Sequence, residues 1–189
     1  MARKRADAQR NIAAILDAAV EVLAARPDAS VGEIARHAGV ARQTVYAHYE
    51  SREALLEAVA SRARDEAIGA IDSARPDEGE PLEALDRLAS AWWRTVAQHA
   101  RVLDALAGVV GASARDVRAF HAPILERLPR FASRGQREGA FDRDVPPEWL
   151  AVSFLALMHA AADEVAAGRM DPAEAESALR RSVRGCFAG

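Results

Sequence analysis

Two short helical segments and the glycine between them constrain this chain more than any other feature. Ser30 followed by Glu33 has the form of a capping box, in which each side chain satisfies an orphan backbone N–H, so a helix is predicted to begin at Val31. Ile34, Ala35 and Ala38 recur at helical spacing, and Gly39 supplies the residue without a Cβ that a tight turn between helices requires, so this helix should stop near Ala38. A second short helix is predicted over residues 41–49, with Val45 inward and Arg42, Gln43, Thr44, Tyr46 and His48 on its other faces. That surface is polar and aromatic and has no carboxylate until Glu50. Ser51 then caps a further helix, whose first-turn N–H groups and Arg52 would present positive potential.

These residue types suit a nucleic acid. Arginine can bond a guanine edge with two parallel hydrogen bonds and glutamine an adenine edge, while Thr, Tyr and His can donate to phosphates. The eight helical rises across residues 41–49 make a rod of about 12 Å, close to the width of the B-DNA major groove. Arg3, Lys4, Arg5 and Arg10 precede the first apolar repeat and are read as an arm able to follow a phosphate backbone. The net charge of −3 argues against this until it is divided: residues 1–52 hold 8 Lys or Arg against 6 Asp or Glu, and the remainder 17 against 22. The excess in the first segment is small, so two copies acting together would be needed to neutralise enough phosphates.

The same residues resemble the tetracycline-repressor-like (TetR) transcriptional regulators. The likeness runs from about residue 8 to 67 and rests on the Ile-Leu-Asp-Ala-Ala run at 15–19, the Ile-Ala to Ala-Gly-Val turn at 34–40, Thr-Val-Tyr-Ala-His-Tyr at 44–49 and Ser-Arg-Glu-Ala-Leu-Leu at 51–56. The resemblance implies that Arg42, Gln43 and Thr44 face base edges or nearby phosphates and that Tyr46, His48 and Arg52 clamp the backbone. Two positions depart from the family pattern: Ala41, where a capping Ser is frequent, and Ala47, where a bulkier side chain is common. The expected architecture is all-α, with an N-terminal three-helix DNA-binding domain at 1–67 carrying its helix-turn-helix at about 31–50. A C-terminal helical ligand-binding and dimerisation domain follows at 68–189. A double-stranded operator, a second copy of the chain and a small effector are the implied partners.

Beyond the motif, the composition is helical: half the residues are apolar, and only 5% are aromatic. The helix opened by Ser51 should reach Ser73, and residues 75–81 form a loop with two prolines and three acids. An amphipathic helix is predicted from Leu82 to about Leu106, ended by Gly108 and Gly111. Another runs over 114–138, stepped at Pro123 and Pro129. Residues 148–167 are apolar on more than one face and need partners on more than one side. Asp171 caps a last helix, with Pro172 at its first position, predicted to end near Arg184 before Gly185. In the family these last two helices form a homodimer interface, which would set two recognition helices about 34–36 Å apart on a palindromic site.

Trp92, Trp93, Phe120, His121, Leu125, Phe131, Phe154, Met158 and His159 are candidates for a largely apolar effector pocket with two imidazoles for orientation. Packing in a core is the competing role for each. His159 and Asp163, four apart, are read as a helix pair rather than half a metal site, and no metal or cofactor is expected. Cys186 stands alone, so no intramolecular disulfide forms. The basic start lacks an apolar core and cleavage site, and the apolar run at 149–162 is interrupted by Ser153 and His159. No signal peptide and no membrane span are expected, and the chain is read as cytoplasmic. A nucleophile elbow, a phosphate-binding glycine loop, a His-Glu-x-x-His motif and a Cys-x-x-Cys pair are all missing, which disfavours an enzyme. A helical dimerisation or small-molecule-binding protein without DNA binding is the remaining alternative.

Overall fold

Helices account for nearly all regular structure in the computed structural model, which describes residues 2–99, 102 and 118–188, the side chains of 2–6, 98 and 99 apart. No strand occurs among the described residues. The helices are α1 (Ala2–Ala25), α2 (Val31–His37), α3 (Arg42–His48), α4 (Arg52–Ser73), α5 (Pro81–His99), α6 (Ala122–Leu125), α7 (Leu128–Arg137), α8 (Pro147–Ala166) and α9 (Pro172–Ala188). Their contacts separate two compact units, one within residues 1–63 and one made of residues 64–100 and 114–189.

In the first unit α1, α2, α3 and the start of α4 close over a small aliphatic core of Ile15, Ala19, Leu23, Ile34, Val45, Leu55 and Val59, each buried to within 1% of full. The α1 helix begins at Ala2, so the basic residues at 3–5 have a helical backbone rather than the arm read from sequence. Ala, Arg, Lys and Gln dominate that stretch and are all strong helix formers. Side-chain pairs tie the bundle together from outside: the ion pairs of Arg26 with Glu33 and of Arg62 Nη1 with Asp17 Oδ1 at 2.7 Å, and a hydrogen bond between His37 Nε2 and Glu21 Oε2 at 2.6 Å.

The second unit is organised around α8. It packs chiefly on α9 and α7 and also on α5. A run of rings threads its core: Trp92 stacks on Phe154 at 5.4 Å between centroids, Phe154 meets Phe187 edge-on, Phe187 meets Phe141, and Phe141 meets Phe131. Gly135 of α7 is what admits Phe141, because a Cβ there would stand 2.1 Å from the ring's Cδ2. Pro123 and Pro129 fall in the first turns of α6 and α7, where a missing N–H costs no helical bond, so the predicted steps are real breaks.

One boundary differs from expectation, and one helix outruns the apolar stretch by which its length was judged. The last helix runs to Ala188 rather than to Arg184, since Ala175, Leu179, Val183 and Phe187 continue one buried stripe straight past Gly185. At 20 residues, α8 is also long and apolar enough to cross a bilayer by length and composition, because it extends at both ends beyond the apolar run at 149–162. Its buried residues, Leu150 to Ala162, nevertheless pack against the neighbouring helices of its own unit. The predicted continuation of α5 past His99 and the glycines at 108 and 111 lie, Val102 apart, outside the described residues.

Candidate nucleic-acid interface

The turn that aims α3 is built locally. Ser30 N–H donates to Glu33 Oε2 at 2.8 Å and Glu33 N–H donates to Ser30 Oγ at 3.3 Å, closing the capping box. With the Ser30 backbone N–H, Arg26 and the Ser30 hydroxyl as partners, the Glu33 carboxyl is lowered to about 2. At the other end of α2, Gly39 adopts a φ of +69°, and Val40 N–H donates to Ala35 O while Gly39 N–H donates to Arg36 O. This 6→1 and 5→2 pairing is a Schellman motif, which turns the chain sharply and leaves α3 to start three residues after Gly39. Ala41 provides no side-chain cap, so α3 starts on backbone bonds alone, Thr44 N–H and Val45 N–H donating to Ala41 O.

Within α3, Val45 is 1% exposed and anchors the helix. Arg42, Gln43, Tyr46 and Ala47 are exposed and share one side, with Thr44 and His48 half-buried at its flanks. Arg42 Nη2 donates to Tyr46 Oη at 3.3 Å and its guanidinium carbon lies 5.3 Å from the Tyr46 ring centroid. The structure therefore presents the sequence candidates Arg42, Gln43 and Tyr46 outward together. Arg52 is placed differently: its guanidinium donates to Pro27 O at 2.7 Å and Ala29 O at 3.3 Å, bracing the start of α4 against the loop before α2. Ser51 Oγ accepts from Ala54 N–H at 3.1 Å, capping α4 as the sequence indicated.

The effector-pocket candidates fall into separate groups. Trp92 and Phe154 stack in the core, both 2% exposed or less, and Met158 is fully buried. Phe120, His121 and His159 form a second cluster, with His121 edge-on to Phe120 at 5.0 Å and to His159 at 4.8 Å, and Arg64 of α4 over the Phe120 ring. Burial pushes the His159 imidazole below its ordinary range, favouring the neutral ring. Trp93 joins neither group: its indole N–H donates to Pro172 O at 3.0 Å and holds the start of α9. Leu125 is half-buried on the four-residue α6, and Phe131 belongs to the ring series with Phe141. A groove of about 970 Å³ between the end of α4, α5 and Arg180 is lined by none of these residues.

Sequence reasoning missed the bracing role of Arg52, whose acceptors lie more than 20 residues away, and the pairing of Arg42 with Tyr46, which their i, i+4 spacing could have signalled.

Residues 15–59 match the family model described as bacterial regulatory proteins, tetR family. The chain is 45% identical over 80 residues to the HTH-type transcriptional repressor LfrR of Mycolicibacterium smegmatis, 42% of each chain, and 48% identical over 62 residues to the uncharacterized HTH-type transcriptional regulator TtgW of Pseudomonas putida, 31% of this chain and 46% of that one. These sequence matches span less than half the length of those relatives. The solved structure of the TetR-like regulator LfrR from Mycobacterium smegmatis, in complex with proflavine, aligns over 94% of this chain and 96% of its own at 30% identity and a TM-score of 0.73. The chain belongs to the TetR family of bacterial transcriptional regulators.

Proposed function

We propose that the protein is a cytoplasmic, ligand-responsive repressor that binds a palindromic operator as a homodimer and is released by a small, largely apolar effector. Residues 1–67 would bind DNA, and residues 68–189 would bind the effector and the second copy. The observation that carries the reading is α3: a short helix anchored by a buried Val45 that turns Arg42, Gln43 and Tyr46 outward on one side with no acid among them. In a groove, Arg42 and Gln43 would meet base edges, while Tyr46, Thr44 and His48 would meet phosphates. Arg52 contributes by holding the loop and α4 in place.

The pairing of two copies is supported by the outer side of α8, where Trp149 is 61% exposed and Ala156 and Ala160 are exposed with it, and by small exposed residues on α9 such as Ser177, Ser182 and Gly185. An apolar effector is supported by the aromatic and imidazole groups of the second unit and by the proflavine complex of the LfrR structure, so planar aromatic compounds are the first class to screen. No catalytic role is assigned.

The reading is tested by a mobility shift with DNA from upstream of the protein's own gene. Specific retention whose affinity falls steeply with salt is expected, and Gln43→Ala should change the preference at one base pair. Equal retention of every fragment would remove the claim of specificity. An effector must both stabilise the protein thermally and release the operator; compounds that do only the first are not inducers.

A further inference from the structure

The outward side of α3 is short of polar groups, because Ala47 has none and Arg42, Gln43 and Tyr46 supply the rest. Two of those three are not independent. The Arg42 guanidinium lies over the Tyr46 ring and donates to its hydroxyl oxygen, one helical turn away. Its aliphatic stem also passes Gly32 of α2, where an added Cβ would stand 4.0 Å from Arg42 Cδ. The arginine thus has a glycine of α2 and the Tyr46 ring as neighbours.

We propose, on the reading of α3 as the recognition helix, that Tyr46 is a positioning residue for base readout: it seats the Arg42 guanidinium for a guanine edge and links that seat to the register of the phosphate backbone. The hydrogen-bond inventory permits both tasks at once. A phenol has one O–H donor and acceptor lone pairs besides; Arg42 uses an acceptor site, which leaves the O–H to donate to a phosphate oxygen. Arg42 gives one of its five N–H groups to Tyr46 and keeps enough for the two-pronged contact to guanine O6 and N7. A phosphate that accepts from the Tyr46 O–H polarises the oxygen and strengthens its hold on Arg42, so the reading arginine is fixed best when the backbone is in register. Seating the side chain in advance also removes rotamer freedom that would otherwise be lost on binding.

The test compares the full-length protein with Arg42→Ala, Tyr46→Phe and the double variant on the operator and on copies altered at each base pair. Tyr46→Phe keeps the ring and removes the oxygen. It is expected to weaken binding to every sequence and, in addition, to reduce several-fold the discrimination at the one base pair whose preference Arg42→Ala abolishes. In the Arg42→Ala background, Tyr46→Phe should then act equally on all sequences. A uniform loss with guanine preference intact would overturn the proposal and leave Tyr46 a phosphate contact alone. A DNA-free readout separates this from failure of the recognition reading. The Arg42 side-chain protons in the free protein should carry a ring-current NMR shift that disappears in Tyr46→Leu. No change there would overturn the seat itself. A seated arginine in a protein without sequence preference would instead overturn the assignment of α3 to base recognition, and the proposal with it.

Discussion

The unit within residues 1–63 and the unit of residues 64–100 and 114–189 reach stability by opposite routes. The first uses short helices whose ends are specified within a few residues by Ser30 with Glu33, by Gly39 and by Ser51, around a core of small aliphatic side chains. The second relies on rings from residues far apart in the chain, Trp92, Phe131, Phe141, Phe154 and Phe187, that meet only once the helices have packed. A unit built on local signals leaves its surface free to carry chemistry, which suits a reader of DNA.

Substitutions can set the two routes against each other. Phe154→Ala deletes the ring shared by Trp92 and Phe187 and should cost about 3–5 kcal/mol in chemical denaturation. If the units unfold separately, that loss will fall on one of two transitions; a single transition that shifts as a whole would mean that they unfold as one. Gly135→Ala drives a methyl into the Phe141 ring and should cost about 1–3 kcal/mol, with an altered near-ultraviolet circular dichroism spectrum from the displaced aromatics.

The effects expected in the first unit are smaller. Gly39→Ala meets no atom within 4 Å, so its cost is the positive φ alone, about 1–2 kcal/mol, and operator affinity should fall with it because α3 loses its entry angle. The smallest effect is one of pH. The Glu33 carboxyl is lowered from 4.5 to about 2 in the folded chain, so its contribution is present above pH 4.5 and is lost as pH falls toward 2. Glu33→Gln should lower stability at neutral pH by that contribution and flatten this part of the acid-unfolding curve, so that variant and parent converge as pH falls toward 2.

How far the sequence could be read varied with the range of the contacts involved. The α2 capping box, the Gly39 turn, the Ser51 and Asp171 caps and the steps at Pro123 and Pro129 were all legible, because each depends on residues no more than five apart. At α9, Asp171 Oδ1 accepts from Ala173 and Glu174 N–H at 2.8 Å as its position before Pro172 implied. The end of that helix was misread, since Gly185 signals a stop locally while Phe187, buried against Phe141 and Phe154, carries the helix to Ala188. Within the interface, the outward placement of Arg42, Gln43 and Tyr46 followed from helical periodicity. The attachment of Arg52 to Pro27 O and Ala29 O did not, because two carbonyls in a distant loop leave no mark on the residues around an arginine.

Side-chain types and their spacing along α2, the turn and α3 are enough to specify the class of this protein, because hydrogen bonds that close within a turn of helix need nothing from the rest of the chain. Folding in three dimensions decided what each candidate does: that Tyr46 holds Arg42, that Arg52 braces a loop, that Trp93 anchors the start of α9 while Trp92 stacks on Phe154, and that His121 meets His159. Those outcomes depend on which surfaces close-packing brings together, and a side chain's own identity carries little information about a neighbour supplied from tens of residues away.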